Sequence, residues 1–144
     1  MGEENSMNIL IIDAQGGGIG KQLVSAMKKN MPKISVTAVG TNSAATAAML
    51  KAGADNAATG ENAVVVNSRK ADVIIGPIGI VIADALLGEI TPLMAKAVAQ
   101  SPAKRILIPI NHCDNIVVGV DDLNISKLLQ DVISVLQKIC GENC

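Results

Sequence analysis

The stretch DAQGGGIGKQ, residues 13–22, carries the spacing with the clearest chemistry in this chain. Gly16, Gly17, Gly18 and Gly20 surround Ile19, with Gln15 before them and Lys21 after. Consecutive backbone amides at the start of a helix attract an anion, through the helix dipole and through N–H groups that lack an acceptor. Lys21 would add a positive charge. Glycines let a ligand approach the backbone closely. The same glycines also suit a tight turn and close helix–sheet packing with no ligand at all.

Two familiar loop patterns are missed. The dinucleotide fingerprint G-x-G-x-x-G fits at Gly16 and Gly18, but Lys21 stands where the third glycine belongs. The second strand also ends in Gly40-Thr41-Asn42, without an acid to hold a ribose hydroxyl. The Walker pattern G-x-x-x-x-G-K-[ST] fits at Gly20-Lys21. Gln15 replaces its first glycine, and Gln22 replaces its metal-binding hydroxyl. The loop is similar to the deviant Walker loop K-G-G-x-G-K-[ST] of MinD and ParA-like ATPases. Gly17-Gly18-Ile19-Gly20-Lys21 fits it; Gly16 and Gln22 do not. Without the hydroxyl ligand, a degenerate ATPase is the weakest functional reading.

Other candidates cluster where strands are expected to end. Asp13 closes the first apolar run and could reach a metal through water, act as a base, or cap the loop amides. The last role is the commonest for such a residue. Gly40, Thr41 and Asn42 follow the second strand; Thr59, Gly60, Glu61 and Asn62 follow the third. Gly76, Pro77 and Gly79 follow the fourth, and Asn111 and Cys113 follow the fifth. Asn and Thr at such positions also serve as plain helix caps. Glu61 and Glu89 are candidate acids or bases, with no spacing that forces a carboxylate pair together. His112 and Cys113 are adjacent and would point to opposite sides of an extended segment, which argues against a direct dyad. Cys140 and Cys144 would need two further ligands to hold a metal, so no metal site is assigned. No catalytic residue is assigned, and enzymatic activity stays open.

These residues need elements to place them. Residues 8–13, with the continuous apolar run at residues 9–12 ended by an acid, read as a buried strand. Ile19, Leu23 and Met27 recur at helical spacing. Residues 34–39 form a second strand, and the Ala-rich residues 43–52 a helix with Ser43 as its N-cap. Residues 55–59 form a third strand. Residues 60–70 read as a helix, although Val64-Val65-Val66 favours a strand, because parallel strands need a crossover. Residues 72–76 form a strand and residues 80–87 a buried helix. Thr91 caps a helix whose first turn holds Pro92. Residues 104–110 form a fifth strand and residues 116–120 a short extra one. Ile125, Leu128, Leu129, Val132, Ile133, Leu136 and Ile139 form an amphipathic helix closed by Gly141.

Alternating strand and helix predicts a three-layer α-β-α, Rossmann-like fold. Its sheet is mainly parallel, with five strands plus the short extra one. Ligands of such sheets bind beyond the carboxyl ends of the strands, where the candidate loops lie. With 144 residues, one domain is expected over residues 7–144, after a polar tail at residues 1–6. Mean hydropathy is +0.41, which suits strands buried on both faces. The apolar stretch at residues 73–90 is interrupted by Gly76, Pro77, Gly79, Asp84, Gly88 and Glu89, so no membrane span is expected.

Phe, Tyr and Trp are absent, which removes stacking platforms for nucleic acid. The net charge is −1 without a basic cluster, so no nucleic-acid partner is expected either. Three cysteines and no secretory leader predict free thiols and a cytoplasmic location.

The stretches IDAQGGGIGK, GTNSAATAAMLKAGADNAATGENAVVVN, ADVIIGPIGIVIADALLGEITPLMA and LIPINHC follow one another in an order that resembles a known family. It is a bacterial, Firmicutes-type family known only as domain of unknown function 3842. The resemblance spans about residues 7–120. It implies a Rossmann-like fold with a shared site at the strand-end loops and leaves the activity open. The expected ligand and cofactor is a nucleotide or other phosphate-bearing small molecule. The alternative is a non-catalytic interaction or regulatory protein, and a homodimer or higher homo-oligomer is expected in either case.

Overall fold

The apolar residues 9–12 form the middle of the sheet because they alternate between two cores. The structure, a computed structural model, describes residues 7–110, 115–120 and 124–141. Its strands are β1 (Asn8–Asp13), β2 (Ser35–Gly40), β3 (Asn56–Thr59), β4 (Val73–Pro77) and β5 (Lys104–Ile108). Its helices are α1 (Gly18–Asn30), α2 (Ser43–Lys51), α3 (Glu61–Lys70), α4 (Pro92–Gln100) and α5 (Ile125–Cys140). The sheet is parallel throughout, in the order β3-β2-β1-β4-β5.

Ile9 and Ile11 pack with Leu23, Val24 and Met27 of α1 and with Val132, Ile133 and Leu136 of α5. Leu10 and Ile12 face the other way, against Val64 of α3 and Met94, Ala95 and Val98 of α4. Burying each of these large aliphatic side chains contributes roughly 1.5–3 kcal/mol. With no aromatic residue, these aliphatic chains and methionines fill both cores. The connections after β1, β2, β3 and β4 all start from one edge of the sheet. The order reverses between β1 and β4, which makes that point the topological switch.

Residues Glu61–Lys70 are helical, the crossover between parallel strands prevailing over the strand propensity of the three valines. Glu61 lies in the first turn of α3 and Arg69 and Lys70 in its last, which complements the dipole. Gly60, at φ +103°, makes the sharp entry from β3.

Several expectations are overturned. Residues 116–120 form no strand: they run as coil with a turn at Gly119, and Ile116 and Val118 stand almost fully in solvent. A strand needs a ladder partner, and no strand pairs with this segment among the described residues. Residues 80–87 are not a helix. A single 3-10 turn, Ile78–Val81, gives way to successive tight turns, with Asp84, Leu86 and Leu87 at φ +65°, +57° and +58°. Those values cannot continue a right-handed helix. The N-cap of α2 is Asn42 rather than Ser43: its side chain accepts from the Ala45 amide at 2.9 Å. The structure also carries Cys140 in a disulfide, against the expected free thiol. The expected tail at residues 1–6 and the loop with Asn111, His112, Cys113 and Asp114 lie outside the described residues.

Candidate functional site

The glycine loop begins as the backbone leaves β1 at Asp13. The Gly17 amide donates to the Ala14 carbonyl at 3.0 Å, closing a turn through Gln15 and Gly16. Helix α1 starts at Gly18, with Gly17 at its cap in the left-handed region, φ +72°. Asp13 is buried beneath this turn. Its Oδ1 accepts from the Ala14 amide at 2.8 Å and its Oδ2 from the Gly20 amide at 2.7 Å. The capping role is the one its geometry serves. Burial pushes its carboxyl above the usual aspartate value; the two amides offset part of that, and the negative charge of Glu89 adds to it.

The glycines divide into two kinds. A Cβ at Gly17 would lie 2.8 Å from the Ala45 Cα, and one at Gly20 would lie 2.5 Å from the Met49 Sδ and 2.9 Å from the Asp13 Cβ. These two are required by packing. Gly20 does the job the third glycine of a dinucleotide loop does, one position early. A Cβ at Gly16 or Gly18 would meet nothing within 4 Å. Among the described residues, nothing accepts from the amides of Gly16, Gly18 or Ile19. The loop therefore keeps donors and open space that its own packing does not use.

Those amides border a small polar cleft of about 140 Å³. Asp13, Ala14, Gln15, Gly16, Gly17, Gly18 and Ile19 line one side, Pro77 and Leu86 the other. The cleft therefore lies at the β1–β4 switch. Its volume is below the roughly 300–1,000 Å³ of whole-ligand pockets and suits a phosphate-sized group. Larger grooves lie elsewhere: about 270 Å³ between α3 and α4, about 390 Å³ between α1 and α5, and about 190 Å³ between β5 and α5.

A second cluster forms over the end of β2. The Glu89 Oε1 accepts from the Gln15 amide at 2.9 Å, the Thr41 hydroxyl at 2.6 Å and the Asn42 side-chain amide at 2.8 Å. Asn42 also donates to the Gln15 carbonyl at 2.9 Å. Partial burial pushes the Glu89 carboxyl up, but the bonds from Thr41, Gln15 and Asn42 prevail and hold it below the usual glutamate value. Farther along the same edge, Thr59 and Thr46 share a hydrogen bond of 2.7 Å, and the Thr91 hydroxyl donates to Glu61 at 2.6 Å.

Among the residues singled out by sequence, Asp13, Gln15, Gly16, Gly17, Gly18, Ile19 and Pro77 meet at the cleft. Thr41 and Asn42 join Gln15 at Glu89. Thr59, Gly60, Glu61 and Asn62 are beyond β2, outside the cleft lining. Lys21 is exposed on α1 and does not line the cleft. Gly40 packs against Thr46, Gly76 against the Ile12 carbonyl and Gly79 near Leu86. Asn111 and Cys113 are outside the described residues.

Sequence reasoning omitted Leu86 and weighed Glu89 only as an isolated acid. The available signal was Leu86-Leu87-Gly88-Glu89, where a glycine after the apolar run marks a turn more readily than a helix interior.

No helix among the described residues is long and apolar enough to cross a membrane. Among solved structures, the crystal structure of the dodecameric FMN-dependent UbiX-like decarboxylase from Escherichia coli O157:H7 is similar at 17% identity. The likeness covers 92% of this chain and 76% of that one, with a TM-score of 0.47. No curated protein matches the chain. The family model described as Domain of unknown function (DUF3842) matches residues 8–141, and the chain belongs to that family.

Proposed function

We propose that this member of the DUF3842 family binds a phosphate-bearing, nucleotide-like small molecule on the loop after β1. The observation that carries the reading is the coincidence at Gly16 and Gly18. Both lack a side chain without any packing reason, and both, with Ile19, offer amides that nothing in the described chain accepts from. The N-terminus of α1 adds its dipole.

The surrounding charge narrows the ligand. Among the described residues no basic side chain lines the cleft, while Asp13 and Glu89 both bond the loop. A highly charged polyphosphate would be repelled, so a monophosphate ester or a diester such as a dinucleotide bridge fits better. The cleft takes the phosphate, and the rest of the ligand lies along the strand ends.

Calorimetric titration of the full chain with adenosine 5′-monophosphate tests this. Gly18→Asp has room for its side chain and places a carboxylate where α1 tolerates it, so the fold persists. It is expected to weaken binding by more than about tenfold, a loss of about 1.4 kcal/mol. Equal affinity in the two proteins overturns the assignment.

Self-association is the second reading, supported by Leu87, which is 93% exposed at a turn beside the cleft wall. A strictly monomeric mass in light scattering, with and without ligand, would exclude it.

A further inference from the structure

The segment after β2 reads Gly40-Thr41-Asn42 and contains no acid. In dinucleotide-binding sheets the acid near that strand end accepts a hydrogen bond from the ribose. The structure brings an acid to this place from a distant part of the chain. Glu89 is bonded to Thr41 and Asn42, which immediately follow β2, and to Gln15 of the glycine loop. It therefore bridges the loop proposed to hold the phosphate and the end of β2, the side on which dinucleotide-binding sheets carry the ribose. All three recorded bonds fall on Oε1; among the described residues Oε2 accepts from nothing.

The backbone around Glu89 is built to hold it there. Leu86 and Ile90, on either side, are anchored in the core. The Asp84 amide donates to the Ile90 carbonyl at 2.7 Å, and the Ile90 amide to the Ala85 carbonyl at 3.2 Å. Between these ties, Leu86, Leu87 and Gly88 follow one another with positive φ, an unfavourable backbone for two leucines. Strain held in this way is common where a loop places a functional side chain.

We infer that Glu89 Oε2 is the acceptor for a ribose hydroxyl, so that the ligand is a ribonucleotide or dinucleotide whose ribose carries free hydroxyls. The inference rests on the phosphate reading above. The other carboxylate oxygen stays fixed by Thr41, Asn42 and the loop amide. A 2′-phosphate would meet the Glu89 charge at close range and be rejected.

The test titrates the full chain with inorganic phosphate, adenosine 5′-monophosphate, its 2′,3′-dideoxy analogue and adenosine 2′,5′-bisphosphate, for the wild type and Glu89→Gln. The wild type is expected to prefer the ribonucleotide over both analogues by about tenfold or more, the scale of a hydrogen bond to a charged group. Glu89→Gln is expected to narrow both preferences, while inorganic phosphate, which carries no ribose and is relieved of the Glu89 charge, binds no more weakly than to the wild type. Equal wild-type affinity for ribonucleotide and dideoxynucleotide, with phosphate still bound, overturns this inference alone and needs no variant. Preferences that survive unchanged in Glu89→Gln also overturn it. Failure of the wild type to bind either phosphate or nucleotide overturns the phosphate reading together with it.

Discussion

The chain leaves β1 and β4 as neighbours at one edge of the sheet, and the two exits are built by opposite means. After β1, the chain turns through glycines and its own short-range bonds shape the turn, Gly17 to Ala14 and Gly20 to Asp13, with Gln15 tied to Glu89 and Asn42. After β4, residues 78–90 turn through leucines held in left-handed backbone and reach across the sheet edge to residues 47 and 48 positions away in sequence. The first exit folds by local preference. The second takes a shape its residues resist, because Leu86 and Ile90 must reach the core and Glu89 must reach β2. A loop that leaves donors unpaired and a strained segment that delivers an acceptor meet at the same switch point.

Neighbouring glycines give the strongest way to break this picture. Gly17→Ala meets both a positive φ and the backbone of Ala45, and should lose about 2–3 kcal/mol in chemical denaturation. Gly16→Ala, with open space and no positive φ, should change stability by less than about 1 kcal/mol. Equal losses would mean the loop does not separate packing glycines from open ones.

The two carboxylates that hold the loop sharpen the contrast through pH. Glu89 is held below its usual value, so its contribution is present above its unfolded pKa of about 4.3 and is lost as pH falls through its folded value. Asp13 is raised by burial, so its contribution is present below its unfolded pKa of about 3.9 and is lost as pH rises through its folded value. Glu89→Gln should therefore cost about 1 kcal/mol at neutral pH, solvent screening limiting the effect, and less in acid. The cost of Asp13→Asn should instead grow as pH falls. Stability curves of both variants from neutral to acid pH check the signs, and parallel curves would refute the opposed roles.

The smallest effect is expected at Leu87. Its side chain packs little, and its backbone sits at φ +58°, which asparagine tolerates better. Leu87→Asn should stabilise the chain by about 0.5–1 kcal/mol, read as a rise in melting temperature. A fall would show that the segment after β4 is not held against its own preference.

What the sequence by itself determined is what short-range chemistry encodes. The continuous apolar run of β1, the period of α1 and α5, the Thr91–Pro92 start of α4 and the glycines after Asp13 each state their conformation within one element. The parallel α/β architecture follows from their order. The strand-end position of the glycine loop follows from that architecture. Tertiary structure alone decided which glycine packs, which amide stays open and where Glu89 goes. Hydrophobic spacing at Ile80, Ile82 and Leu86 looks the same for a helix and for a chain of turns that buries Ile80 and Leu86. Only the neighbouring β1 and β2 loops distinguish them, by offering Glu89 three donors. Contacts formed across 47 to 74 residues leave no periodic trace in the segment that makes them.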